Sequence, residues 1–175
     1  AETVVTSTSG STGSPMKVGH DDLSLQRRFA FLNDHLRLAG IEITDPSVRL
    51  SGRIFCDVGK SQNKPWLYNS AERQLFLSSY HLSPAHSAVI SEKLNSLAPV
   101  LIDGYPSGIL EVLRLLESSK SQLTSLKAII TTAETLHPDL RAEISELSGV
   151  PVMDYYSASE GVPIIQQCTF GTYHI

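Results

Sequence analysis

The sequence predicts an α/β fold, a mainly parallel sheet flanked by helices. Three observations from residue 99 onward carry this expectation. Short apolar runs at 100–102, 126–130 and 152–155 read as buried strands. Between them lie two stretches with helical apolar spacing: Ile109, Val112, Leu113 and Leu116, then Leu140, Ile144 and Leu147. Pro138 and Gly149 punctuate the second stretch as a helix start and a helix end. Alternating strands and helices with short connections imply parallel pairing through crossover helices.

The elements before residue 99 follow in order. Thr3, Val4, Val5 and Thr6 form a β-prone run. Residues 7–15, Ser-Thr-Ser-Gly-Ser-Thr-Gly-Ser-Pro, place Gly10 and Gly13 among hydroxyl side chains. Glycines permit close backbone approach, and successive N–H groups with Ser and Thr hydroxyls can cradle an anion. The loop is not a Walker loop, because Ser14 and Pro15 follow Gly13 where that motif has Lys and Ser or Thr. From composition alone, a flexible Ser/Gly linker fits equally well.

Leu25, Phe29, Leu32, Leu36 and Ala39 then repeat at spacings of four and three, a single apolar stripe opened by Asp21 and Asp22 and closed by Gly40. Residues 48–55 and 74–77 read as strands, separated by a polar, turn-rich stretch at 59–64. Ser83-Pro84 starts a helix whose buried side is Val89, Ile90, Leu94 and Leu97.

Composition narrows the function classes. A chain of 175 residues with 41% hydrophobic content can bury a sizeable core. Net charge of -4 and a pI near 5.8 speak against a nucleic-acid partner. Cys56 and Cys168 are too few for a disulfide framework, so a reducing, cytoplasmic location is expected. No apolar run reaches the length of a membrane span, so no membrane partner is expected. The absence of an initiating Met and the early glycine-rich loop suggest an internal piece of a longer protein.

In open α/β sheets, ligands sit beyond the carboxyl ends of the strands. Those ends are expected to carry Gly104-Tyr105-Pro106-Ser107, Thr132-Ala133-Glu134-Thr135 and Tyr156-Ser157-Ala158-Ser159-Glu160. Polar chemistry therefore gathers along one edge.

Taken together, the glycine-rich loop and the segment Asp154-Tyr155-Tyr156-Ser157-Ala158-Ser159-Glu160-Gly161 resemble two motifs of the adenylate-forming superfamily. Ser78-Ser79-Tyr80-His81-Leu82-Ser83, Gly104-Tyr105-Pro106-Ser107 and Thr132-Ala133-Glu134-Thr135-Leu136 lie between them. In this order the segments look like the phenylacetate–CoA ligase branch, close to members associated with capsular polysaccharide biosynthesis. The resemblance implies that the chain, residues 1–175, is part of a large N-terminal AMP-binding domain, without the ribose-binding aspartate and the C-terminal lid domain. It implies activation of a small-molecule carboxylate, aryl or arylacetic, by ATP to an acyl-adenylate, then transfer to coenzyme A.

On that resemblance, Ser9, Gly10, Ser11, Thr12 and Gly13 hold the β- and γ-phosphates, with Lys17 nearby though one position later than in many relatives. Glu160 holds Mg²⁺, a cation that favours one or two carboxylates plus phosphate oxygens, and Ser159 contacts the α-phosphate. Tyr156 packs along the adenine, and Ala133 with Glu134 lines its pocket. Glu134 reads equally as an exposed carboxylate at a helix entry. Tyr80, His81, Tyr105 and Ser107 line the acyl pocket, or serve local hydrogen bonding.

Ser157 departs from the family, which has Gly there, and leaves the geometry of that turn open. Cys168 and His174 alone do not make a zinc site. His20, His35, His86 and His137 carry no motif and are expected to face solvent or cap helices. Two other readings remain: a nucleotide-binding or scaffolding module that has lost catalysis, and a polysaccharide-associated transferase. The sequence does not specify an oligomeric state.

Overall fold

A computed structural model describes residues 3–7, 15–53, 65–158 and 164–174. Its main sheet runs in the order β10-β9-β8-β7-β6-β3-β5-β4. The strands are β3 (Ser47–Ser51), β4 (Trp66–Asn69), β5 (Gln74–Ser78), β6 (Leu101–Gly104), β7 (Ala128–Thr132), β8 (Val152–Ser157), β9 (Ile164–Gln167) and β10 (Tyr173–His174). From β8 to β5 every neighbouring pair is parallel, while β4, β9 and β10 add antiparallel margins. A separate two-stranded sheet pairs β1 (Val4–Ser7) antiparallel with β2 (Lys17–His20).

Strand alternation sorts the core onto two sheet faces. Val48, Leu50, Leu75, Leu77, Ile102, Ile129 and Val152 pack on one face against α2 (Ser87–Leu97), α3 (Pro106–Ser118) and α4 (Pro138–Ser148). Leu101, Ala128, Ile130 and Met153 pack on the other, against Leu36 and Ile41 in and after α1 (Asp22–Leu38). The apolar runs of β6 and β7 are therefore buried on both sides, as parallel strands require.

The helices follow their punctuation. The Asp21 side chain accepts the Ser24 N–H at 2.7 Å and caps α1, and hydrogen bonds from the Ser24 side chain and backbone lower the Asp21 pKa. Gly149 ends α4 at φ +68, the left-handed conformation glycine adopts without strain. The expected inward set of α3 is buried in full: Ile109, Val112, Leu113 and Leu116.

Other expectations need correction. Phe29 is 60% exposed, so it leaves the expected α1 stripe and only Leu36 of that set is fully buried. The strand expected at 48–55 is β3, ending at Ser51, and residues 54–64 lie outside the described part. Ser83-Pro84 opens a single 3-10 turn, Pro84–His86, before α2 begins at Ser87, and Val89 is only half-buried. The strand expected at 126–130 begins at Ala128, because Leu126 belongs to the turn closed by its N–H on Leu123 O.

His35 and His20 are buried rather than solvent-facing. His35 Nε2 donates to Gln167 O at 2.7 Å, and its ring stacks on Tyr155. His20 pairs with Thr6 Oγ1 at 2.9 Å across the β1–β2 hairpin. His86 and His137 do stand at helix entries, of α2 and α4.

Candidate functional site

The parallel register sets β3, β5, β6, β7 and β8 with their carboxyl ends at one edge: Leu50 lies beside Gly104, Gly104 beside Thr131, and Thr132 beside Tyr155. The segments after β5, β6 and β7 and the end of β8 therefore share that edge. They carry Tyr80 and His81, Tyr105 and Ser107, Ala133 and Glu134, and Tyr156.

Gly104 is fixed by space as well as by dihedral. Its φ is +138, and a Cβ placed there would sit 2.1 Å from Leu50 O. No side chain fits between β6 and β3 at that point. Tyr105 follows, close enough to Gly52 that a Cβ on that glycine would meet Tyr105 Cε2 at 3.3 Å. The β6 exit is thus packed against the β3 exit.

Ala133 adopts φ +69 immediately after β7. A left-handed alanine costs about 1–2 kcal/mol and persists where its surroundings fix it, often at functional sites. The turn aims Glu134 back at the neighbouring loop. Its Oε2 accepts the Ser107 N–H at 3.1 Å and its Oε1 accepts the Ser107 hydroxyl at 3.0 Å. The carboxylate satisfies an otherwise unpaired N–H in the first turn of α3 and complements its dipole. The helix-entry reading of Glu134 is therefore met, at α3 rather than at the α4 that follows it in sequence.

Tyr156, next to the end of β8, is 57% exposed, in register with Ile165. Ser157 continues the strand opposite Ile164 and is not among the residues with positive φ, so its side chain is accommodated there without backbone strain. Tyr80 is 61% exposed in the 3-10 turn Ser79–His81, whereas His81 is buried, so the two adjacent residues face opposite environments. Lys17 begins β2 and is exposed. Ser9, Gly10, Ser11, Thr12, Gly13, Ser159 and Glu160 lie outside the described residues.

A polar network that the sequence reading missed supports the β8 exit. Asp154 Oδ1 accepts the Thr131 hydroxyl at 2.7 Å, and Oδ2 accepts the Tyr173 hydroxyl at 2.8 Å. Gln167 Oε1 accepts the Asp154 N–H at 3.2 Å and a guanidinium N–H of Arg141, whose other arm donates to Val152 O. Asp154 amid an apolar strand was the available sequence signal. On β3 and β6, Arg49 and Asp103 form a two-armed ion pair that raises the Arg49 pKa.

A concavity of about 710 Å³ opens at the other end of the sheet, bordered by Leu116, Leu126, Leu147 and Val150. None of the sequence-predicted site residues lines it. Among the described residues no helix is long and apolar enough to cross a membrane, and no three His, Cys, Asp or Glu side chains gather as metal ligands.

Comparison with solved structures decides the fold. A 2-hydroxyisobutyryl-CoA ligase in its postadenylation state, bound to an acyl-AMP, superimposes with a TM-score of 0.66 at 17% identity, covering 95% of this chain and 35% of that one. The fold is that of the adenylate-forming CoA ligases. The anthranilate-CoA ligase AuaEII with anthranoyl-AMP gives a TM-score of 0.62 at 18% identity, covering 96% of this chain and 31% of that one. The Bacillus subtilis o-succinylbenzoate-CoA synthetase with AMP gives 0.57 at 18%, covering 95% and 39%. In sequence, the chain is 29% identical over 161 residues to protein CapK of Staphylococcus aureus, across 91% of this chain and 36% of CapK. This chain thus spans about a third of the length of CapK. No family model matches it.

Proposed function

We propose that this chain forms the nucleotide- and acyl-binding edge of an adenylate-forming ligase, one that activates a carboxylic acid with ATP and passes the acyl group to coenzyme A. The observation that carries the proposal is the Glu134–Ser107 tie, which joins the loop expected at the base to the loop expected at the acyl group. The ligase neighbours, one of them bound to both an acyl-AMP and CoA, support the reaction class and the acceptor.

Each residue has a part in this reading. Tyr156 offers a flat, exposed face for adenine beside the small side chain of Ala133. Ser9, Gly10, Ser11, Thr12 and Gly13 hold the phosphates, with Lys17 on the strand that leaves the loop, and Ser159 contacts the α-phosphate. Tyr80 and Tyr105, with His81 and Ser107, border the acid, and their aromatic character favours an aryl or arylacetic carboxylate. Glu160 is the carboxylate for Mg²⁺, which neutralises phosphate charge during adenylation. The chain acts as part of an N-terminal AMP-binding domain in the cytoplasm, and a separate lid domain completes catalysis.

The test is binding of the sulfamoyl analogue of phenylacetyl-adenylate, followed by calorimetry. Binding that weakens about tenfold or more in Tyr156→Ala is expected, since one base–aromatic stack is worth about 1–3 kcal/mol. Absence of binding by the unmodified chain overturns the reading, and equal binding by the variant removes Tyr156 from the site.

A further inference from the structure

The end of β8 rests on a polar row. Thr131 of β7 lies beside Asp154 of β8, and Tyr173 of β10 lies opposite Gln167 of β9. Alternation from Ile129 and Val152 puts these side chains on the sheet face that α4 covers. There Asp154 accepts the Thr131 and Tyr173 hydroxyls, one on each carboxylate oxygen. Gln167 is only 5% exposed, and both ends of its amide are engaged. Its Oε1 accepts from the Asp154 N–H and from Arg141 of α4, and its Nε2 donates to Gly171 O at 2.7 Å. Desolvation, followed by the bond to Asp154, raises the Tyr173 pKa, so the hydroxyl keeps the proton it donates.

The opposite face is tied to the same strand. The Tyr155 ring stacks on His35 with centroids 6.2 Å apart, and His35 Nε2 donates to Gln167 O. Gln166, 8% exposed, donates to Phe31 O at 2.8 Å. Strand β9 thus holds the end of β8 to α4 through one face and to α1 through the other. Strands β9 and β10 have four and two residues, too few for ladder bonds alone to fix their register firmly. The side chains fix it. A slip of β9 by one residue turns Gln167 toward α1 and Gln166 toward α4, and breaks their bonds. A buried polar row with its bonds satisfied specifies one arrangement.

Tyr156 stands two residues beyond Asp154 on the same face, about 7 Å along the strand, with Ile165 of β9 as its cross-strand neighbour. Its ring is 57% exposed, so its direction is inherited from the strands beneath it. We infer that Gln167 and Tyr173 are positioning residues for the base site: by fixing β9 and β10 against Asp154, they hold the Tyr156 ring in one orientation before any ligand arrives. A ring already ordered loses less freedom when a flat ligand stacks on it, and binding is tighter by that margin. The assignment of Tyr156 to a base rests on the reading under Proposed function, whereas the ordering of its ring by β9 and β10 does not.

The experiment uses residues 1–175 with ring-labelled tyrosine, the Tyr156 signal being assigned by Tyr156→Phe. Without ligand, that signal should be single and narrow in the unmodified chain. It should broaden or split in Tyr173→Phe, which keeps the ring and removes the hydroxyl, and in Gln167→Leu, while circular dichroism stays unchanged. Binding of the sulfamoyl analogue of phenylacetyl-adenylate should weaken about three- to tenfold in each variant. In a Tyr156→Ala background the same changes should weaken it about twofold or less, because residues that act through one side chain are not additive. A merely structural role would lower binding equally in both backgrounds.

Three results overturn the inference: a Tyr156 signal that Tyr173→Phe leaves unaltered, analogue binding by Tyr173→Phe equal to that of the unmodified chain, or equal losses with and without Tyr156. Where Gln167→Leu does not fold, Tyr173→Phe decides alone. If the unmodified chain does not bind the analogue while the ring signal responds as expected, the functional reading fails and the ordering of Tyr156 by β9 and β10 stands.

Discussion

Gly104 and Gly149 both take positive φ, yet their surroundings differ. A Cβ on Gly149 would meet nothing within 4 Å, whereas a Cβ on Gly104 would collide with Leu50 O. Gly149→Ala should cost about 1 kcal/mol, from the dihedral alone. Gly104→Ala should cost about 3 kcal/mol or more in urea unfolding, because β3 and β6 must separate. Ala133 is the reverse case: Ala133→Gly removes left-handed strain and should stabilise the chain by up to about 1 kcal/mol, since glycine's greater unfolded freedom offsets part of the gain. Cys168 adds a chemical prediction. Hydrogen bonds from His174 and from the Phe170 and Thr172 N–H groups lower its thiol pKa to about 7. In a Cys56→Ser background, iodoacetamide should alkylate Cys168 with a half-maximal rate near pH 7, and His174→Gln should move that midpoint upward.

Helix α1 shows what periodicity can and cannot convey at the scale of an element. Its limits and cap were readable in Asp21 and Gly40, and its inward side in Leu25, Leu32, Leu36 and Ala39, whereas Phe29 on that same side stays exposed. Helix α3, with a single apolar side, was read correctly in full. Strands β2, β4 and β9 escaped notice because they are short, polar in part, and lie in the separate hairpin or toward the sheet margins, where no continuous apolar run is required. The anchor of α1 is His35, whose Nε2–H is bound to Gln167 O while its buried Nδ1 has no partner. Burial lowers the His35 pKa, opposed by the Gln167 carbonyl and by Asp34 and Asp154. The unfolded chain therefore binds more protons near and below the ordinary histidine value, and stability should fall as pH drops below about 6.5. Urea unfolding from pH 8 to pH 5 should show this slope, and His35→Gln should flatten it.

At the scale of the molecule, the register of the parallel strands decides which loops meet. That much was legible: strand–helix alternation places the 104–107 and 132–135 segments at one edge, and the register of the sheet agrees. The partner of Glu134 was not legible, because a bond between residues 27 positions apart depends on how the turns pack and not on local pattern. The Asp154–Thr131–Tyr173 network escaped for the same reason. On the proposed reading, adenylation needs more chain than the third of CapK's length that residues 1–175 match, so carboxylate-dependent ATP–pyrophosphate exchange by them alone should be undetectable with any acid. In the completed enzyme, Glu160→Gln should lower adenylation by orders of magnitude, with a far smaller effect on thioester formation from supplied acyl-adenylate. Equal losses in both half-reactions would assign Glu160 a structural role instead.

Helix α3 borrows its N-terminal cap from a different crossover, since Tyr105 makes no capping bond with its side chain and Glu134 supplies the acceptor. Variation in the two connections is therefore not independent. An insertion or deletion ahead of Glu134 would withdraw the carboxylate from Ser107 and loosen the start of a helix it does not adjoin in sequence. Diversification along this edge should then proceed by exchange of side chains at fixed loop length, with 104–107 and 132–135 changing as a matched pair.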